Sequence, residues 1–545
     1  MSDTTSEITA KPVEGEIAPP PPVETVTLTI DGAEVTVDKG TNIIEAARKI
    51  GKKIAAFCYH PGLEVVAVCR QCLVTVEGAP KLTPACQGIA GEGMVVHTTD
   101  EASTDARRQL LEFTLLNHPV DCPICDKAGE CTLQEQYFDN NAKMSRLDVP
   151  KVRKPKVVDL GPTIVLDAER CILCTRCIRV CDDVAGEHQL EISQRGDHSQ
   201  LGTAPGQELD NPYSLNTVDV CPVGALTSKD FRFSMRAWEL MSTPSVCNGC
   251  STGCNIEIHH KGGKTYRLIP RHNDEVNGHW MCDDGRISYH ALTEKRLVGP
   301  VVDGMPSNWK RALDKAADKI GPLLKDDPSS LAIVFSPHRT NEENYILAKL
   351  AKAWKIERRY LGGNAPDSSR ADEILRKSDV TPNRRGVKEI LGEQSCLTLD
   401  ALAEDMASGA VKGLVVLGHE MPLSDELLTA AGDLECLVVL CDHELGLAKK
   451  ADVCLPIAGW TENTGSITNF KGRVQRMQAA YETVGQAKQG WQALSELAGS
   501  CGQTMKYETA EKVFSEMKGA VPAFADAKWG RDVPAFQLRF ANSRG

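Results

Sequence analysis

Residues 171–181 read CILCTRCIRVC, and the next cysteine is Cys221, followed by Pro222. A C-x2-C-x2-C-x3-C run with a proline behind the last cysteine is an iron–sulfur pattern in which the fourth thiolate serves a second cluster. A chain with two clusters carries that run twice. Counting back from Cys221 by the same intervals gives Thr217, Ser214 and Asn211. The second run has therefore lost three of its four ligands. One [4Fe–4S] cluster is expected on Cys171, Cys174, Cys177 and Cys221, and Cys181, though inside a perfect-looking run, is expected to be a free thiol packed as a small apolar side chain.

Working outward, three further blocks each close at four ligands. Cys58-x10-Cys69-x2-Cys72-x13-Cys86 suits a [2Fe–2S] centre, with the x2 pair on one iron and the remote cysteines on the other; spacing alone leaves zinc open there. His118-x3-Cys122-x2-Cys125-x5-Cys131 replaces a thiolate with an imidazole and reads as a [4Fe–4S] site. Cys247-x2-Cys250-x3-Cys254-x27-Cys282 reads as another, since a zinc ribbon would need two x2 pairs. Sixteen candidate ligands result, fifteen of them drawn from the 21 cysteines of a 545-residue chain.

Such cysteine usage without an apolar leader points to a reducing compartment, with thiolates committed to metal rather than disulfides. No stretch is apolar for the length of a bilayer, so membrane association is expected only through partners. A net charge of −12 disfavours nucleic acid. The run KVRKPK at 151–156 is the local exception and reads as a solvated linker.

The pattern between the blocks indicates the folds. Val26, Leu28 and Ile30 alternate, Asp31-Gly32 makes a two-residue turn, and Val35 and Val37 alternate again, which is a hairpin. A helix follows over 42–49, capped by Thr41 or Asn42, and the pair suggests a β-grasp unit. A helical stretch over 102–116 leads to His118. Beyond Val301, buried-strand runs at 331–335, 413–417 and 437–441 alternate with helical segments at 342–354 and 399–408, the signature of a mostly parallel sheet covered on both faces. A last helix is expected over 508–518. Cys396, Cys436, Cys441, Cys454 and Cys501 read as ordinary buried thiols.

All four blocks, in this order and at these spacings, resemble the large iron–sulfur subunit of the peripheral arm of bacterial NADH–quinone oxidoreductase (respiratory complex I), the G subunit. The stretches Asn273–Arg286, Ala451–Pro456, Thr461–Gly465 and Asn469–Arg473 are similar to molybdopterin oxidoreductases. The resemblance implies a multidomain α+β and α/β chain. Its expected parts begin with a Pro-rich, disordered tail (1–24), a β-grasp [2Fe–2S] ferredoxin domain (25–100) and a [4Fe–4S] segment with one histidine and three cysteine ligands (101–150). A ferredoxin-like [4Fe–4S] domain (151–240), an additional [4Fe–4S] domain (241–300), a truncated molybdopterin-oxidoreductase-like domain without pterin (301–520) and a tail (521–545) follow. Three features oppose a live pterin site. Few residues follow Cys282, no cysteine falls between Cys282 and Cys396, and Asp283-Asp284 stands where those enzymes often carry lysine.

The resemblance further implies an electron-transfer subunit on the cytoplasmic side of the bacterial inner membrane. Electrons would come from a flavin-bearing, NADH-oxidising subunit and leave toward quinone through a ferredoxin-like subunit, with the Cys247–Cys282 cluster off the main route. No residue group for substrate chemistry of its own stands out, so no catalytic residue is assigned. Rivals are a subunit of an iron-only hydrogenase or NAD-linked formate dehydrogenase, and a metal-stapled scaffold. Asn211, Ser214 and Thr217 count against the hydrogenase, and the missing pterin features against the dehydrogenase. Paramagnetic resonance of the reduced chain tests the ligand assignment: Cys181→Ala is expected to keep every cluster signal and Cys221→Ala to lose one, whereas a signal lost in Cys181→Ala would refute it.

Overall fold

The computed structural model describes residues 24–140, 144–392 and 397–530. The Pro-rich tail, Cys396 and the last fifteen residues of the C-terminal tail lie outside them. The chain forms two compact units. One comprises residues up to 59 with 65–114 and 136–145; the other comprises 60–64, 115–135 and everything from 146 onward.

The first unit is built on the expected hairpin. Thr25–Ile30 and Ala33–Asp38 pair antiparallel from Ile30↔Ala33 outward, and the two turn residues both take positive φ (Asp31 46°, Gly32 79°), as a turn matched to strand twist requires. Asn42 caps helix Ile43–Lys49 by accepting from Glu45 N at 3.0 Å. Strand Val95–His97 runs parallel to the first strand, while Leu73–Val76 pairs antiparallel with it, giving a five-stranded mixed sheet. Leu28, Ile30, Val35, Val37, Ile43, Ala46, Ala47 and Val74 close its core.

In the second unit a three-stranded sheet (158–159, 164–166 and 226–228) supports the Cys171–Cys181 loop. A second, antiparallel sheet (Met241–Val246, Asn255–Lys261, Lys264–Pro270) carries the fourth block. The largest element is a seven-stranded sheet whose parallel members are 359–361, 331–335, 413–417, 436–441 and 453–456, extended by antiparallel 301–302 and 305–306. Along its strands alternate residues enter different cores. Leu331, Ile333, Phe335, Val415 and Leu417 meet helices Trp309–Asp326, Asn341–Ala353, Gly490–Ser500 and Ala510–Ala520 on one face. Ala332, Val334, Leu414 and Val416 meet Leu399–Ala407 and Asp425–Gly432 on the other. Both faces are covered, which is why these strands read as continuous apolar runs rather than alternating ones. The last helix starts two residues later than expected, behind Thr509, which caps it by accepting from Lys512 N.

The run 151–156 is only half solvated: Arg153, Pro155 and Lys156 are exposed as expected of a linker, but its lysines are engaged by the surrounding loops. Lys151 Nζ donates to the carbonyls of Leu115 and His118, each at 2.8 Å, and Lys154 Nζ to Ser199 O at 2.6 Å. Lys156 Nζ lies 2.6 Å from Glu169 Oε2. The lysines satisfy carbonyls and carboxylates of the surrounding loops; Arg153, with 80% of its side chain exposed, remains the most solvated.

Helix Asn341–Ala353 buries two adjacent acids. Glu343 closes a capping box with Thr340, and Glu342 takes Ser466 N on Oε2 and Ser466 Oγ on Oε1, both at 2.7 Å. Burial raises Glu342 from 4.5 to about 7, and it raises Glu343 as well. A carboxyl whose folded pKa exceeds its unfolded one stabilises the fold below the unfolded value and loses that contribution as pH rises through the folded one. Hydrogen exchange in 341–353, corrected for intrinsic rate, is therefore expected to show protection falling by on the order of 3 kcal/mol between pH 4.5 and 7. Glu342→Gln should flatten much of that slope; an unchanged slope would assign it elsewhere.

Candidate iron–sulfur centres

In the first unit Cys58, Cys72 and Cys86 are each 1% exposed and Cys69 is half-buried. Pairing of Leu73 with Pro84 brings the chain at Cys72 and at Cys86 together, and Ala67 and Arg70 take left-handed backbone in the loop that leads through Cys69 to Cys72. Cys69 Sγ receives the backbone N–H of Phe57 at 3.4 Å and of Cys58 at 3.5 Å. The sulfurs lie within hydrogen-bonding reach of one another. Bonds from Cys69 and Cys86 hold the Cys58 thiol far below its usual range, and the same contacts, with burial, push Cys69 and Cys86 up. The four predicted ligands of this block converge.

His118 follows helix Glu101–Leu115, and its imidazole is pushed down to about 4 by burial, so it is neutral at pH 7. Its Nδ1 is buried without a hydrogen-bond partner, an unsatisfied donor atom of the kind a metal would use. Cys122 opens a short turn closed by Cys125 N donating to Cys122 O at 3.1 Å, and Cys131 precedes helix Thr132–Asn140. Burial raises Cys125 and pushes Cys131 up to about 11.

The third block lines one cavity. Cys171, Cys174, Cys177 and Cys221 face it, with Ile172, Ile178, Leu201, Val223 and Leu226 as apolar walls. Leu173 (φ 54°) and Thr175 (φ 62°) bend the loop around it. Cys181 is absent from that lining. It sits in the helical turn Val180–Ala185, fully buried, with Asn211 Nδ2 4.0 Å from its sulfur. The positions of the missing second run are packed with polar contacts. Asn211 donates to Gln189 Oε1 at 2.7 Å, Ser214 Oγ to Asp283 Oδ2 at 2.6 Å, and Thr217 Oγ1 to Ser214 O at 2.7 Å.

The second and third blocks touch. The Cys131 thiol points at Pro222 O, 3.7 Å away, and Thr132 N donates to the same carbonyl at 3.0 Å. Gly224 lies so close that an added Cβ would stand 2.3 Å from Cys125 Sγ. In the fourth block Cys247, Cys254 and Cys282 are buried and Cys250 is half-buried. A Cβ on Gly285 would meet Cys247 Sγ at 3.0 Å and Cys282 Sγ at 3.3 Å, so both sulfurs border one glycine. Gly249 N and Gly285 N donate to these sulfurs, each at 3.4 Å.

These donor sets fit iron–sulfur clusters chemically. Burial alone disfavours each thiolate, and a bound cation supplies the missing compensation. Of the later thiols, Cys436, Cys441 and Cys454 lie inside strands and Cys501 ends a helix, with burial raising all four.

One polar cluster escapes sequence reading. At the C-terminal ends of the parallel strands, Arg339 donates to Asp442 Oδ1 and lies 3.3 Å from Glu420 Oε1. The Nδ1 atoms of His419 and His443 lie 2.9 and 3.2 Å from Asp442 Oδ1. Its one sequence signal is Asp442-His443 directly behind the apolar strand ending at Cys441. The strand ends that bind ligands in open α/β sheets here hold an ion-paired network.

Five family models match the chain. They are a 2Fe-2S iron-sulfur cluster binding domain (23–101), the NADH-ubiquinone oxidoreductase-G iron-sulfur binding region (107–146), the ferredoxin-like domain of NADH-quinone oxidoreductase subunit 3 (161–227), an NADH-ubiquinone oxidoreductase NDSU1/NuoG-like 4Fe-4S domain (240–290) and molybdopterin oxidoreductase (383–500). The NADH-quinone oxidoreductase G subunit of Streptomyces coelicolor is 40% identical over 352 residues, 63% of this chain and 41% of that protein. Its counterpart in Rickettsia bellii is 42% identical over 311 residues, 56% of this chain and 46% of its own length. The mitochondrial 78 kDa subunit of NADH-ubiquinone oxidoreductase from Neurospora crassa is 41% identical over 297 residues, 54% of this chain and 40% of that protein. The matches thus span less than half the length of these relatives. With matches to 2Fe-2S, 4Fe-4S and molybdopterin-oxidoreductase models in this order, the chain is similar, over part of their length, to the G subunits of NADH-quinone oxidoreductases.

Proposed function

We propose that the chain is the electron-transfer G subunit of a proton-pumping NADH:quinone oxidoreductase. It would take electrons from a flavin-bearing NADH-oxidising subunit and pass them toward quinone by way of a ferredoxin-like subunit, at the cytoplasmic face of the bacterial inner membrane. Among the described residues no helix is long and apolar enough to cross a membrane. The proposal assigns one [2Fe–2S] cluster to Cys58, Cys69, Cys72 and Cys86. It assigns three [4Fe–4S] clusters to His118, Cys122, Cys125 and Cys131; to Cys171, Cys174, Cys177 and Cys221; and to Cys247, Cys250, Cys254 and Cys282. The domain limits read from the sequence go with it, the α/β region being taken as structural and without pterin.

The observation that carries this reading is the packing of the Cys131 and Cys125 sulfurs on the Cys221–Gly224 turn. Two ligand sets that share a boundary suit a relay, whereas a scaffold stapled by independent metals has no need of it. The clusters, when bound, supply one-electron redox chemistry. The chain's own residues do the rest: apolar walls such as Ile172, Leu201 and Val223 keep water from the sulfurs, and backbone N–H groups at Cys69, Cys247 and Cys282 stabilise their negative charge.

Metal analysis of anaerobically prepared chain is expected to find about fourteen irons and no molybdenum or stoichiometric zinc. Reduced samples should give one binuclear and three tetranuclear paramagnetic signatures; only one or two centres in intact protein would overturn the relay. Gly224→Ala should displace Cys125 and lower the iron content by about four, the Cys171–Cys221 signal persisting.

A further inference from the structure

Asp121 stands directly before Cys122, and Arg170 directly before Cys171. Their side chains meet in a two-bond fork, Arg170 Nε to Asp121 Oδ1 at 3.1 Å and Nη2 to Oδ2 at 2.7 Å. The guanidinium side chain is 6% exposed and the carboxylate 20%. A planar fork of this kind is directional and, when sheltered from water, resists reorientation. Nearby, Asp167 Oδ2 lies 3.4 Å from Arg170 Nε, and Lys156 Nζ lies 3.4 Å from Asp121 Oδ2.

The stem of the arginine and a sulfur of the second block border the same glycine. The point where Gly224 would carry a Cβ is 2.3 Å from Cys125 Sγ and 3.6 Å from Arg170 Cδ. The missing side chain at Gly224 leaves room for the sulfur, with Arg170 Cδ at ordinary contact distance on the other side of that point. The opposing carboxylate belongs to the same turn as Cys122 and Cys125. One cation therefore ties the loop of one ligand set to the turn of the other, and its charge is felt at the Cys125 sulfur, which it draws toward the ionised form.

Resting on the reading that His118, Cys122, Cys125 and Cys131 hold one cluster, we propose that Arg170 is a positioning and potential-setting residue for that centre. It clamps the Asp121–Cys125 turn to the Arg170–Cys171 loop, and its charge favours the reduced state. Reduction adds one negative charge at the centre. A fixed cation beside a ligand sulfur lowers the energy of that state, and a fixed carboxylate raises it. Arg170 and Asp121 thus act with opposite sign on the potential while serving the same clamp.

That opposition is the test. Redox titration of the full, cluster-loaded chain, followed by paramagnetic resonance, is expected to show the His-ligated midpoint lower in Arg170→Gln and higher in Asp121→Asn. Iron content should be unchanged, and the Cys171–Cys221 centre should move less. Shifts of the same sign, or none in either variant, overturn the proposal, because loss of a mere clamp acts alike from both sides. Should Arg170→Gln shed the iron of that centre, Arg170→Lys decides: a retained centre at the wild-type midpoint supports the charge role, and a lost centre or a lowered midpoint overturns it. A wild-type chain with no His-ligated centre defeats the underlying cluster reading instead, before any variant is made.

Discussion

A sulfur taken out of water holds a negative charge only beside a positive one. Most of the cysteines in the four blocks are buried, and burial raises the thiols of blocks two to four for which a shift is resolved. The loops that carry them cannot be ordinary hydrophobic core, because they turn sulfur rather than methyl groups inward. Their short strands, left-handed loop residues and close glycine contacts make sense as a frame whose centre is supplied by metal. In small metal domains, folding of such a frame and loading of its ligand set are linked events.

The α/β region is held together differently. Its strands are shared between two apolar cores, and each fully buried Leu, Ile or Phe contributes roughly 1.5–3 kcal/mol without help from a ligand. Polar groups gather at one edge, where Arg339, Glu420 and Asp442 satisfy each other. This region stands on its own packing, and residues 383–500 of it match the molybdopterin oxidoreductase model.

Much of this was legible because it is local. Alternation and the Asp31-Gly32 turn gave the hairpin, and apolar runs marked three of the five parallel strands. Counting intervals back from Cys221 separated Cys181 from the cysteines that line the third cavity. Helix Trp309–Asp326 is masked in the sequence, since Gly321-Pro322 inside it is an ordinary stop signal. The short outer strands 359–361 and 453–456 carry too few residues for a pattern. The Asp121–Arg170 fork and the Gly224 contact were invisible for another reason. They join residues 49 and 99 positions apart, and nothing in either neighbourhood names the other. The KVRKPK run illustrates the same limit: charge is read from sequence, but the carbonyls and carboxylates that absorb it come from distant loops.

The polar residues from Ser214 to Asn216 bond directly to the chain around Cys282. Ser214 grips Asp283 directly, Leu215 N donates to the same carboxylate at 3.1 Å, and Asn216 Nδ2 donates to Met281 O at 2.9 Å. Those bonds flank Cys282 on both sides. Where a second run would place thiolates, three adjacent residues instead fasten the loop of the third block to both chain neighbours of Cys282, so the frames of the two ligand sets are built as one piece.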